Sequence, residues 1–266
     1  MRLFQERSGE GPAHPPVVLL HGLTATHRYV VMGSKSLQRA GHDVLAYDAR
    51  GHGASDPAPS PEAYTYADLA GDLLTVMDEA GIDRAVLAGA SMGAHTAIRV
   101  ALEHPERVAG LVVVTPAYDP EDWPGDLVRW DALSDGLRTG GVEGFVAAYG
   151  DEGPEHWKDT LKTVMRQRLS AHEHPEALAD ALKAVPRSRP FAAREELRAI
   201  AAPTVVVADR DEPDPGHPLR VGELYASLIP GARLVVETEG SSPIAWQGGQ
   251  LSKVIAGVAT EAFGAS

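Results

Sequence analysis

The sequence predicts an α/β protein with a mostly parallel, buried sheet, and three observations predict it. Short β-branched runs flanked by Gly or Pro recur along the chain, as in PVVLL (16–20) and PTVVVAD (203–209). Segments of helical period stand between such runs, the rhythm of βαβ units whose helices cover the sheet. The rhythm breaks near Pro116 and resumes near residue 200, so one α/β domain carries an insertion.

PVVLL and HDVLAYD (42–48) read as buried strands. YTYADLAGDLLTVMDEAG (64–81) reads as a helix, because Leu69, Leu73, Val76, Met77 and Ala80 recur at three- and four-residue steps. Thr65 with Asp68 forms a capping pair at its start, and Gly81 stops it. RAVLAGAS (84–91) is a strand ending in a sharp turn, MGAHTAIRVALEHP (92–105) a helix halted before Pro105, and VAGLVVVTPA (108–117) a strand. After the insertion come the strand at 203–209, a helix near 218–229, the strand ARLVVE (232–237) and a helix near 248–263. Residues 117–199 read as helical pieces parted by Gly and Pro. The expected organisation is thus a core domain from 1–116 and 200–266 with a helical cap at 117–199. Trp123, Trp130, Phe145, Tyr149 and Trp157 are expected to pack within that cap, with an apolar pocket as the alternative.

Bulk properties narrow the function classes. The 266 residues hold 37 acidic against 24 basic side chains, a net charge of −13 that repels phosphate backbones and argues against nucleic acid as a partner. There are no cysteines, which excludes disulfides, thiolate metal sites and a Cys nucleophile and suits a cytoplasmic protein. Neither a signal peptide nor an apolar run of membrane-spanning length is read in the chain. The eleven histidines show no metal-binding spacing. His172 and His174, two apart, are expected in a solvated segment. No dinucleotide or phosphate-loop fingerprint is present, so no cofactor is expected. A homo-oligomer is compatible with the sequence.

The chemistry concentrates in GASMG (89–93), which fits G-x-S-x-G with a strand before it and a helix after it. Ser91 is then a nucleophile at a helix N-terminus, where the Met92 N–H is free to stabilise an oxyanion. In LLHGLTAT (19–26) a strand ends at His21-Gly22, and the loop after it presents the Leu23 N–H as a second donor. In DARGHGASD (48–56), Arg50 and His52 are expected to hold loops together, as His21 is in its own loop.

With these stretches, and with ALEHPERV (101–108), the chain resembles α/β-hydrolase fold proteins of the cap-bearing esterase, lactonase and carbon–carbon hydrolase type. The resemblance implies Ser, Asp and His in chain order, the acid after one late strand and the histidine after the last. It places the acid at Asp211 in VVVADRDEPDP, with Ala208 where the family has glycine and with Asp209 and Asp214 as neighbouring alternatives. It leaves the base without a histidine: EGSSP (239–243) puts Ser241 at the expected position, and the last histidine in the chain is His217.

A hydroxyl near neutral pH cannot replace imidazole, so turnover is expected to be impaired unless another histidine serves. His217, in the loop system of Asp211, is one substitute; His95 and His27 are others. The implied activity is hydrolysis of a small acyl substrate, an ester or lactone. Its alternatives are a catalytically silent ligand-binding protein and a lyase-type use of the same pocket. A Ser at position 91 instead of Asp argues against the dehalogenase and epoxide hydrolase chemistries of this fold.

Overall fold

The computed structural model describes residues 1–9, 15–151, 155–210, 216–237 and 248–264. The described residues include a seven-stranded sheet formed by β1 (Gln5–Ser8), β2 (Val17–Leu20), β3 (Val44–Tyr47), β4 (Ala85–Ala90), β5 (Val108–Val114), β6 (Thr204–Ala208) and β7 (Arg233–Val236). The strand order is β1-β3-β2-β4-β5-β6-β7, and every neighbouring pair is parallel except β1 with β3. Sequence progression reverses between β2 and β4, and the crevice beyond the carboxyl ends of such strands is where ligands bind in open α/β sheets.

The alternation of side chains along each strand divides the core in two. Val18 and Leu20, Leu45 and Tyr47, Leu87, and Leu111 and Val113 face one side. There they pack against α2 (Tyr66–Glu79), α3 (Met92–Glu103) and α7 (Leu219–Leu228). Val17 and Leu19, Val44 and Ala46, Val86 and Ala88, and Val112 and Val114 face the other. They meet α8 (Gly248–Gly264) through Leu251, Ile255, Val258 and Ala259, and α1 (Ser36–Arg39) through Leu37. Burial of both faces of β2 to β6 accounts for their near-continuous apolar runs.

Several boundaries differ from those the sequence predicts. The strand expected to reach residue 117 ends at Val114, because Thr115 takes φ +47° and Pro116 has no N–H to donate. The helix expected to halt before Pro105 does so, ending at Glu103 with His104 held outside helical dihedrals by the proline after it. The expected capping pair is a reciprocal box: the Asp68 N–H donates to Thr65 Oγ1, and the Thr65 N–H donates to Asp68 Oδ2. The polar edge strand β1 and the one-turn helix α1 carry no apolar periodicity and were not expected.

Between β5 and β6 the described residues form α4 (Leu127–Tyr149), broken at Gly141, then α5 (Lys158–Leu169) and α6 (Pro175–Ala184), with no strand. They share a separate small core of Leu133, Leu137, Phe145, Leu169, Leu178 and Leu182. Phe145 is buried in it, and Trp130 and Tyr149 pack against its edge, as expected of core packing. Trp123 lies instead under the guanidinium of Arg189, 3.8 Å from ring to carbon. Leu23, in the loop after β2, touches both the sheet core and this helical core.

Candidate active site

The turn from β4 into α3 is a sharp elbow. Ser91 sits at φ +49°, ψ −111°, outside the regions an L-residue prefers. Two glycines let the chain close around it. A Cβ on Gly89 would lie 2.2 Å from the Gly93 carbonyl oxygen, and one on Gly93 would lie 2.3 Å from that of Leu20. The Ser91 N–H donates to Val114 O at 2.9 Å, and the Ser91 carbonyl accepts from His95 N at 3.0 Å. The backbone is thereby fixed, while the side chain stays only partly buried. Met92 opens α3 and is itself buried, so its N–H belongs to the first helical turn, which has no intrahelical acceptor.

His217 lies just before α7, and its Nε2 is 2.9 Å from Ser91 Oγ. Pro218 after it is extended and starts the helix without an N–H of its own. The turn is tied down by Arg220, whose guanidinium donates to Asp122 Oδ2 at 2.9 Å. It also approaches Asp119, which is buried beneath its ion pair with Arg194.

The other candidate bases are occupied elsewhere. His95 is buried one turn beyond Ser91; Ala117 N and Tyr118 N both donate to its Nε2 at 3.2 Å. Nδ1–H then donates to Tyr66 Oη at 3.1 Å. Burial, with the nearby His217 contributing, pushes its pKa down to about 3. His27 is held by Asp48, its backbone N–H and its Nδ1 both bonding Asp48 Oδ1. His21 donates from Nδ1 to Gly22 O and accepts from Ala49 N at Nε2, and burial pushes its pKa down to about 4.

Arg50 forms a buried two-pronged pair with Asp72 at 2.6 and 2.7 Å, and His52 donates to the Arg50 carbonyl. Both hold loops together, as expected. Asp209, one alternative to Asp211, is buried at the end of β6. Asp211, Asp214 and Ser241 lie outside the described residues.

The expectation of a solvated segment around His172 is corrected. His172 is buried: its Nδ1 accepts from Gly53 N at 2.9 Å, and its Nε2–H donates to Thr24 O at 3.0 Å. A histidine two residues from another, outside any periodic segment, gives no sequence signal of such a contact across 148 residues of chain. Among the described residues no cluster of His, Asp and Glu is arranged to hold a metal ion. No helix among them is long and apolar enough to cross a membrane.

Comparison with known proteins agrees with this architecture. A family model described as alpha/beta hydrolase fold matches residues 15–246. A putative carbamate hydrolase RutD of Variovorax paradoxus (strain S110) is 32% identical over 209 residues, 76% of each chain. Among solved structures, a hydrolase from Pseudomonas aeruginosa PA01 aligns at TM-score 0.74 and 26% identity, over 98% of this chain and 94% of that one. The enol-lactonase from Burkholderia xenovorans LB400 aligns at TM-score 0.71 and 25% identity, over 99% and 96%. On fold, elbow and family match together, the chain belongs to the alpha/beta hydrolase fold family.

Proposed function

We propose that this hydrolase cleaves a small carboxylic ester or lactone with Ser91 as nucleophile and His217 as general base, and that residues 117–199 cap the site. One observation carries the reading: Ser91 Oγ and His217 Nε2 stand 2.9 Å apart, within the reach a base needs to take the hydroxyl proton. The expectation of impaired turnover rested on the serine at position 241; in this reading the imidazole comes from the segment before α7 instead.

Ser91 Oγ attacks the acyl carbon as its proton passes to His217 Nε2. The carbonyl oxygen becomes an oxyanion, which the N–H groups of Met92 and Leu23 stabilise. His217 then returns the proton to the departing alkoxide, leaving an acyl-serine that water, deprotonated by the same imidazole, hydrolyses. Asp211 remains the candidate for the carboxylate that orients His217. The substrate class is supported by the likeness to the enol-lactonase from Burkholderia xenovorans LB400 and to putative carbamate hydrolases.

A fluorophosphonate probe and a p-nitrophenyl ester test this. His217→Ala is expected to lower kcat by up to about 10⁶, matching Ser91→Ala. Ser241→His is expected to leave turnover at the wild-type level. Unchanged labelling of Ser91 in His217→Ala, or a large gain in Ser241→His, would mean that His217 is not the base.

A further inference from the structure

We infer that His172, in the helical segment, is a positioning residue for the oxyanion loop: it holds the Leu23–Thr24 turn, and so the Leu23 N–H, in place relative to Ser91. This rests on the function proposed above in so far as it concerns turnover; the hold on the turn itself does not.

The turn is strained and closes with little of its own. Thr24 takes φ +74°, unusual for a residue with a branched side chain. One local bond closes it, from Ala25 N to Gly22 O at 3.0 Å. The Thr24 carbonyl is left pointing out of the turn, and His172 Nε2–H donates to it at 3.0 Å. Downstream the loop is pinned by Asp48, which accepts from His27 N at 2.7 Å. His172 therefore supplies the hold on the upstream part, next to Leu23.

The anchor behind His172 is stiff. Gly53 N donates to His172 Nδ1 at 2.9 Å, and Glu173 N donates back to Gly53 O at 2.9 Å. Gly53 has φ +52°, and a Cβ there would lie 2.0 Å from Asp48 Oδ2, so no other residue fits. Asp48 Oδ2 also accepts from Ala54 N. One carboxylate thus fixes both the loop that carries the anchor and the far end of the loop being anchored. The imidazole ring rests edge-on against His52, 5.6 Å between centroids, and His52 rests on His21 at 5.1 Å.

The two ring nitrogens do separable work, which makes the idea testable. His172→Gln can place an amide N–H near the position of Nε2 and keep the bond to Thr24 O. His172→Asn can place an oxygen near Nδ1 and keep only the bond from Gly53 N. His172→Ala loses both.

Two measurements are made on each variant: amide hydrogen exchange at Ala25, and kcat and KM on a p-nitrophenyl ester. Ala25 exchange is expected to accelerate tenfold or more in His172→Ala and His172→Asn, and to stay near wild type in His172→Gln. In the same two variants kcat is expected to fall about tenfold or more at little-changed KM, within the ~10²–10³ that outright loss of one oxyanion donor costs. The Gln variant is expected to recover it.

Ala25 exchange unchanged in His172→Ala overturns the proposal, whatever the activity. Equal behaviour of Gln and Asn overturns it as well, since the bond to Thr24 would then not matter. A wild-type protein that neither turns over ester nor labels at Ser91 refutes the hydrolase reading instead. In that case the Ala25 exchange pattern alone decides whether His172 holds the turn.

Discussion

Lowering the pH from about 7 to about 4.5 is expected to destabilise the fold through its buried histidines. Burial, the largest cause in each case, takes His21 from an ordinary 6.5 down to about 4 and His95 from 6.5 down to about 3. Both are neutral and hydrogen-bonded as acceptors at Nε2, so a proton there would confront the N–H groups of Ala49, or of Ala117 and Tyr118. Below pH 6.5 the unfolded chain binds protons that the folded chain refuses. Stability is therefore complete above that value and declines as pH falls toward the folded-state values. At ~1.4 kcal/mol per pH unit per group, the drop to about pH 4.5 costs about 3 kcal/mol for each imidazole and about 5 to 6 for the pair. That is a large part of the ~5–15 kcal/mol of a typical domain.

His52 and His172, also lowered mainly by burial, add to the decline, while Asp72, raised by burial, opposes it. Asp119 is held down chiefly by its hydrogen bond from Arg194. In Asp48 and Asp68 burial acts upward but is outweighed by hydrogen bonds, from His27 and Thr65 first. These three lose their stabilising effect only below the ordinary carboxylate range, so the histidine window stands apart. The assay is urea unfolding followed by tryptophan fluorescence at the two pH values. In His95→Gln, whose Oε1 can accept from Ala117 N and Tyr118 N without titrating, the pH-dependent loss should shrink by about 3 kcal/mol, the share of one imidazole. Equal stability at both pH values, or an undiminished loss in His95→Gln, would refute this account.

Two further outcomes are expected. Asp72→Ala leaves Arg50 buried without its two-pronged partner and should cost about 3–5 kcal/mol in chemical denaturation, with Ser91 labelling retained at low temperature. Gly93→Ala sets a Cβ 2.3 Å from the Leu20 carbonyl oxygen; it should slow fluorophosphonate labelling of Ser91 and lower Tm, because the elbow must open to admit it.

The parallel sheet was legible because strands buried on both faces are written as unbroken Val, Leu and Ala runs, and because βαβ units alternate on a scale a sequence window can resolve. Ser91 was legible for a related reason: the turn needs glycine at residues 89 and 93, so the backbone constraint is written into the residues themselves. The proposed base was harder to read. Chain order points to the segment after the last strand, but nothing in the local sequence of His217 says that its loop folds back 126 residues to meet Ser91. His172 was misread for the same reason. Its partners are backbone groups of distant loops, and a backbone acceptor leaves no trace in composition or spacing.

The places where the chain leaves and rejoins the sheet layer are buttoned to one another. Tyr118 donates to the Phe191 carbonyl at 2.9 Å, the two rings meet edge to face, and Tyr225 donates to the Tyr118 carbonyl at 2.6 Å. Any swing of α4 to α6 relative to the sheet would thus pivot on one jamb, since both crossings sit at the same spot. The strain of such a swing would fall on the fastening farther along the segment, where His172 bonds Gly53 N and Thr24 O and Glu173 N donates to Gly53 O. Loosening that fastening would set how far the door opens, while leaving the hinge intact.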